Sequence, residues 1–369
     1  MPERALARVR PAAVERNCAR LLRSLTGGAE LCAVVKADGY GHGAVRCARA
    51  AQAGGATWLA VATAAEAAEL RGAGIEGRLL VMGALTSADI VIAHEAGAEV
   101  VAWSTDFVRA LAELRGSRPT QVHVKLDTGM GRLGTDDPRE ARGIARRIDE
   151  AKRLRLAGVM THFATADEVG DEHFPAQLER FGAFVSDMRA EYTGLVAHAG
   201  NSAATLRDPG SHFDMVRCGV AIYGLDPFGR DATEQDLEPS LELESYVAAV
   251  KRFKPGQSAG YGRRWTATEP TWVGVVPIGY GDGWRRGLTN NCDVLVGGRR
   301  RPLVGTVSMD NVTVDLGPDA DVAVGEPAVL IGTQGDERIS AEEVARRLDT
   351  INYEVTCGLT RRVPRVDCP

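Results

Sequence analysis

Lysine is nearly missing from this 369-residue chain: Lys36, Lys125, Lys152, Lys251 and Lys254 stand among 44 basic residues, and arginine fills the other positions. A lysine in a core-like context therefore asks for an explanation. Basic excess is missing too, since 49 acidic residues leave a formal charge of -5 and no block of the chain concentrates Lys and Arg. Nucleic acid is thereby excluded as an expected partner. No apolar run approaches the ~20 residues that span a bilayer, and the opening MPERALARVRP lacks the apolar centre of a signal peptide. A cytoplasmic protein with no membrane partner is expected. Cys18, Cys32, Cys47, Cys218, Cys292, Cys357 and Cys368 are odd in number, scattered and never in C-x-x-C spacing. They read as reduced small hydrophobes, which excludes a disulfide framework and a zinc site, so no metal is expected. Repeats and low-complexity tracts are absent as well.

What the chain does contain is alternation. The short apolar runs LCAVV (31–35), WLAVA (58–62), LLVM (79–82), VVAW (100–103), VHVKL (122–126), LAGVMT (156–161), LVAHA (195–199) and VRCGVAIY (216–223) are separated by segments of helical period, several ending in glycine. Eight such runs is the number that closes a parallel barrel. No G-x-G-x-x-G follows the first run, which argues against an open dinucleotide-binding sheet. Beyond about residue 236 the pattern turns β-rich, with GGRRRP as a hairpin turn and Ser340 and Glu343 as a capping box on the one clear helix. The expected architecture is α/β: a (β/α)8 TIM-type barrel over residues 1–235, then a mostly antiparallel β-domain over 236–369.

Chemistry in such a barrel sits at the carboxyl ends of the strands. The first strand ends in Lys36, which is either a structural lysine paired with a carboxylate or a desolvated Schiff-base lysine. The fifth leads into KLDTGMGRLG, placing Lys125 and Arg132 around a glycine-rich turn. Arg132 offers a planar fork for a carboxylate, and two cations this close need an anion to settle them. The sixth ends in Thr161 and His162, and the seventh in HAGNSAAT, where Asn201 and Ser202 open a helix and form either a phosphate site or an ordinary N-cap. The eighth carries Arg217, Gly219, Val220 and Tyr223. Jointly these are the parts needed to hold pyridoxal phosphate and an amino acid.

The segments AVVKADGYGHG (33–43), KLDTGMGRLG (125–134), THFATADE (161–168), HAGNSAAT (198–205), MVRCGVAIYGL (215–225), AGYGRRW (259–265), PIGYGDGW (277–284), GTVSMDNVTVD (305–315) and INYEVTCGLTRRVPR (351–365) resemble alanine racemases, in order, over nearly the whole chain. The resemblance implies a pyridoxal 5'-phosphate enzyme that interconverts L- and D-alanine for peptidoglycan, working as a homodimer whose active sites are each completed by the partner subunit. It implies that Lys36 anchors the cofactor and serves as one base, and that Tyr261, from the β-domain of the other subunit, is the base on the opposite face. Tyr40, Ser202, Gly219 and Val220 match phosphate-binding positions, and Asn201 lies among them. Arg132 and the partner-supplied Met309 match substrate-binding positions, and Lys125 matches a position often carbamylated. Arg217 matches the residue facing the pyridine nitrogen, with His162 supporting it. A guanidinium there only donates, which disfavours a protonated ring and so disfavours transamination. Asp310 and Tyr280 match supporting positions, Tyr280 near the access channel with Asp167 and Arg286. Arg361 stands where the family often has a tyrosine beside the phosphate, which opens the alternative of a broader racemase acting on serine or longer side chains. A barrel decarboxylase is disfavoured by Arg217, and a non-catalytic cofactor carrier by the β-domain with Tyr261.

Overall fold

The computed structural model describes residues 3–114 and 118–368. Eight parallel strands close into a barrel: β2 (Glu30–Val34), β3 (Trp58–Val61), β4 (Arg78–Val81), β5 (Glu99–Ala102), β6 (Thr120–Lys125), β7 (Leu154–Met160), β8 (Val196–His198) and β9 (Met215–Cys218), with β9 pairing back onto β2. They are the eight apolar runs of the sequence. Strands covered on both faces bury every residue of WLAV and MVRC, which is why they read as continuous rather than alternating. Helices stand between them with capping chosen by sequence: Thr63 and Glu66 make a reciprocal box on Ala64–Gly72, and Asp137 with Pro138 opens Pro138–Glu150. The eighth strand is shorter than VRCGVAIY suggests. Gly219 leaves the β region at φ -104, ψ -89, and Val220–Tyr223 turns as a 3-10 helix.

The second compact unit is mostly antiparallel sheet. Its larger sheet has seven strands, and a three-stranded sheet pairs Ala249–Phe253, Thr271–Val276 and Val312–Gly317. The GGRRRP turn is a hairpin: Gly297 and Gly298, both at positive φ, join Asp293–Val296 to Arg299–Pro302. Ser340 accepts from the Glu343 amide at 3.1 Å, as the sequence predicts. The Glu343 carboxylate, expected to complete a capping box there, instead takes two hydrogen bonds from Arg300 at 2.8 and 3.0 Å, a charged pair that outweighs the cap.

The division into units differs from the expected 1–235 and 236–369 at the link, where Gly229–Glu234 groups with the β-rich unit and Gln235–Leu237 with the barrel, and at the N-terminus. The segment through Ala13 belongs to the β-rich unit. The reason is pairing: β1 (Leu6–Val9) lies antiparallel to Leu241–Tyr246 and parallel to Arg365–Asp367. Four residues with one buried face carry too little pattern to announce a partner far along the chain.

Candidate active site

At the mouth of the barrel the chain leaves β2 and turns at once. Lys36, half-buried, opens a left-handed turn in which Ala37, Asp38, Gly39 and Tyr40 all have φ between +51 and +60. Each such residue other than glycine carries a penalty of roughly 1–2 kcal/mol, so the turn persists only because its surroundings hold it. The Ala37 amide donates to Glu66 at 2.7 Å and the Ala44 amide to Asp38 at 2.9 Å. Tyr40 and His42 both stack on Tyr223, at 5.1 and 4.6 Å between ring centroids, and the Tyr223 hydroxyl donates to the Val34 carbonyl at 2.8 Å. The aromatic column fixes where the chain after Lys36 can go.

Tyr40 is carried to Gly219. A Cβ built on Gly219 would lie 2.4 Å from the Tyr40 hydroxyl, so only glycine lets the phenol reach this backbone. Beside it the Gly219 and Ala221 amides donate to the buried Ser202 hydroxyl at 3.1 and 3.3 Å, bracketing Val220. Asn201 caps the short helix Ser202–Arg207, accepting from the Ala204 amide at 2.9 Å. A phenol, a hydroxyl and backbone donors thus converge in one small cradle. We expect Gly219→Ala to lower stability by about 1–3 kcal/mol, because the added methyl forces Tyr40 off its packing. Thermal denaturation against wild type checks it, and an unchanged midpoint would mean the cradle is loose.

Across the mouth, Lys125 ends β6 almost fully buried, at 3% exposure. Burial, helped by the charges of Arg217, Arg132 and Lys36 and opposed by Asp127, pulls its pKa down to about 8. The loop that follows is built on Asp127, whose carboxylate accepts from the amides of Gly129, Met130 and Arg132 at 2.9, 2.7 and 3.2 Å. Arg132 is left exposed at its rim. Gln177, buried and unsignalled in the sequence, ties this loop to the end of β7. It donates to Thr128 at 3.1 Å and to the His162 carbonyl at 3.2 Å, and accepts from the Ala164 amide at 2.8 Å.

Arg217 projects from β9 into the same region, 3% exposed, with its pKa drawn down to about 10 by burial, still a cation near neutrality. It donates to the carbonyls of Thr161 and Ala199 at 2.7 and 3.0 Å and lies 3.2 Å from His162 Nδ1 and 2.9 Å from His198 Nδ1. Desolvation first, then the Arg217 charge, holds both imidazoles well below the usual histidine range, so both are neutral. His198 was not singled out from the sequence, although a polar residue inside the run LVAHA was a signal.

The structure therefore brings Lys36, Tyr40, Lys125, Arg132, His162, Asn201, Ser202, Arg217, Gly219 and Val220 to one end of one barrel. Its charge is strongly positive: four cationic side chains face one another, and Asp127, the acid among them, is spent on backbone amides. Such a site suits a ligand with a phosphate dianion and a carboxylate, and the Gly219 cradle suits the phosphate. The residues present fit pyridoxal phosphate.

Of the remaining expected residues, Asp167 lies on the barrel unit and the others on the β-rich unit. Tyr261 is 74% exposed and Met309 51%, and Tyr280, Asp310 and Arg361 are also exposed. Tyr261 borders a groove of about 360 Å³ with Thr306, Ser308 and Asn311, and its carbonyl accepts from Thr306 at 2.6 Å. Asp310 pairs with Arg362 at 2.6 Å. Arg362 in turn reaches the fully buried Asp282, which Arg4 also holds.

Comparison with known proteins agrees over both units. Family models described as the N-terminal and C-terminal domains of alanine racemase match residues 9–227 and 240–367. The chain is 43% identical to an alanine racemase of Geobacillus kaustophilus, spanning 96% of this chain and 92% of the relative. It is 40% identical to one from Thermobifida fusca, spanning 98% and 97%. Among solved structures it is similar to alanine racemases from E. faecalis (TM-score 0.93, 37% identity, 99% of this chain and 98% of the other) and Streptomyces coelicolor (0.93, 38%, 98% and 97%).

Proposed function

The chain belongs to the alanine racemase family, and from that premise we propose that it interconverts L-alanine and D-alanine with pyridoxal 5'-phosphate at the barrel mouth. Lys36 would hold the cofactor covalently. Tyr40, Ser202, Gly219 and Val220, with Asn201 shaping the helix start and Arg361 adding charge, would hold its phosphate. Arg217, backed by His162, would face the ring nitrogen. When bound, the cofactor accepts the electron pair left as the Cα proton departs. The proton itself is the business of this chain: Lys36 Nζ takes or returns it on one face of Cα, and Tyr261 Oη of a second copy does so on the other. Two bases are required because one base returning its own proton to one face regenerates the starting enantiomer. Arg132 and the partner's Met309 would seat the substrate, with Tyr280 lining its approach and Asp310 setting the nearby loop through Arg362. The assembly is a homodimer, and the D-alanine it makes would supply peptidoglycan synthesis in the cytoplasm.

The observation that carries this reading is the convergence of four cations and the Gly219 cradle at one barrel end. Purified protein loaded with cofactor should racemise alanine, with kcat/KM exceeding that for serine and lysine by about tenfold or more. Preference for serine or lysine would replace the alanine assignment by a broader one. Among the described residues no helix is long and apolar enough to cross a membrane.

Lys125 supplies a second test. With its pKa near 8, a large share of the side chain is the free amine at mildly alkaline pH, and a free amine adds carbon dioxide to give a carbamate and release a proton. The resulting anion would sit among Lys36, Arg132 and Arg217, where a negative charge is wanted. We expect protein equilibrated with 13C-bicarbonate to show a carbamate resonance that grows as pH rises through about 8 and is absent from Lys125→Ala. A resonance that survives the substitution would move the modification elsewhere.

A further inference from the structure

The site described so far lies at one end of the barrel, yet Arg217 is hydrogen-bonded to a chain of buried groups that runs to the other end. Its Nη1 meets His198 Nδ1 at 2.9 Å, His198 Nε2 meets His123 Nδ1 at 2.9 Å, and His123 Nε2 meets the Glu99 carboxylate at 2.9 Å. Arg78 then closes the line, donating to Glu99 at 2.8 and 3.1 Å while its guanidinium lies 3.5 Å over the Trp58 ring. His123 and His198 are fully buried, and Glu99 is 6% exposed at the first residue of β5. Gly158 makes room for the turn in the line, since a Cβ there would fall 2.5 Å from His123 Nδ1.

The two ends dictate every proton between them. Arginine has only donors, so His198 Nδ1 must accept, and His198 carries its proton on Nε2. That proton points at His123 Nδ1, which must accept in turn, leaving His123 to donate through Nε2 to a carboxylate that can only accept. A charged imidazole at His198 would set a donor against a donor at Arg217. The line therefore has one direction, from Arg217 to Glu99, with both rings neutral. Burial raises the Glu99 pKa, but the hydrogen bonds from His123 and Arg78 outweigh it and hold the group below the usual glutamate range, so it is the anion this scheme needs.

We propose that Glu99 and His123 are positioning residues for Arg217: the carboxylate, acting through two imidazoles of fixed tautomer, locks the guanidinium in orientation and sets how strongly it donates at the cofactor ring. The inference rests on the reading that Arg217 faces that ring. Bonds polarised in series strengthen one another in a low-dielectric interior, so a charge at the far end is felt at the near one. Arg217 meets His198 through Nη1 and Thr161, His162 and Ala199 through Nη2, so the line holds the guanidinium by its fork.

Two variants and two readouts test it. Glu99→Gln keeps an acceptor oxygen and removes the charge, and His123→Phe keeps a ring and cuts the line. In the cofactor-free protein, 15N spectra should show His123 and His198 neutral and protonated on Nε2; in His123→Phe, where Arg217 still donates to His198 Nδ1, the His198 Nε2–H should stay in place but shift and exchange faster with its acceptor gone. In the loaded enzyme, kcat for alanine should fall by about threefold to tenfold in Glu99→Gln and by about tenfold or more in His123→Phe, with KM within about twofold. The number of turnovers before the cofactor is lost to transamination should fall in step. A charged or Nδ1-protonated His198 in the wild type would overturn the proposal, as would folded variants whose kcat and turnover number match the wild type. If wild-type protein does not racemise alanine, the functional reading fails by itself, and the spectra still decide the direction of the line.

Discussion

Lys36→Ala and Tyr261→Phe are each expected to lose about 10²–10⁴-fold in kcat for alanine racemisation, the range that removal of a general base produces. Mixed and allowed to exchange subunits, the two inactive proteins should recover activity. In a hybrid dimer, the barrel that keeps Lys36 faces the partner's Tyr261, while the other site lacks both bases. Random exchange makes half the dimers hybrids with one working site each, so about a quarter of wild-type activity should return. The exposure of Tyr261, 74% in the single chain, is what a residue offered to another copy requires. Absence of recovery after exchange has been demonstrated by mass would place Tyr261 in its own subunit's site.

Arg217→Glu is the second large effect, and it separates rate from outcome. The guanidinium can only donate, whereas a carboxyl group can give the ring nitrogen a proton and make it a stronger sink for electrons. Racemisation should fall by about 10²–10³-fold, the scale seen when one preorganised donor is removed, while transamination per turnover rises. The change also leaves the Thr161 and Ala199 carbonyls without their donor, so the melting temperature must be measured beside it. General collapse of the site would lower both reactions together. A rise in one against a fall in the other identifies the electronic role, and parallel loss of both would contradict it.

Much of this was legible in the sequence, for physical reasons that differ by element. Barrel strands are covered on both faces, so runs such as WLAVA and VVAW stand out from polar helices and their number alone indicates closure. Lys36 was legible because a lysine directly after LCAVV is out of place, and Lys125 because lysine is so scarce here. The left-handed turn from Ala37 to Tyr40 was not legible, since only Gly39 and Gly41 advertise positive φ and the strain of Ala37, Asp38 and Tyr40 is held by distant Glu66 and Tyr223. Nor was β1, whose partners lie more than two hundred residues away. The line from Arg217 to Glu99 depends on which side chains of four barrel strands point inward along its length. His123 and His198 betray polarity within apolar strands, but Glu99 looks like any residue at a strand start.

Lys36 is the residue expected to hold the cofactor, and chemical mapping reaches it most directly. Protein loaded with pyridoxal phosphate, reduced with borohydride and digested, should carry the cofactor on the peptide containing Lys36. Label on the Lys125 peptide instead, or on neither, would contradict Lys36 as the anchor.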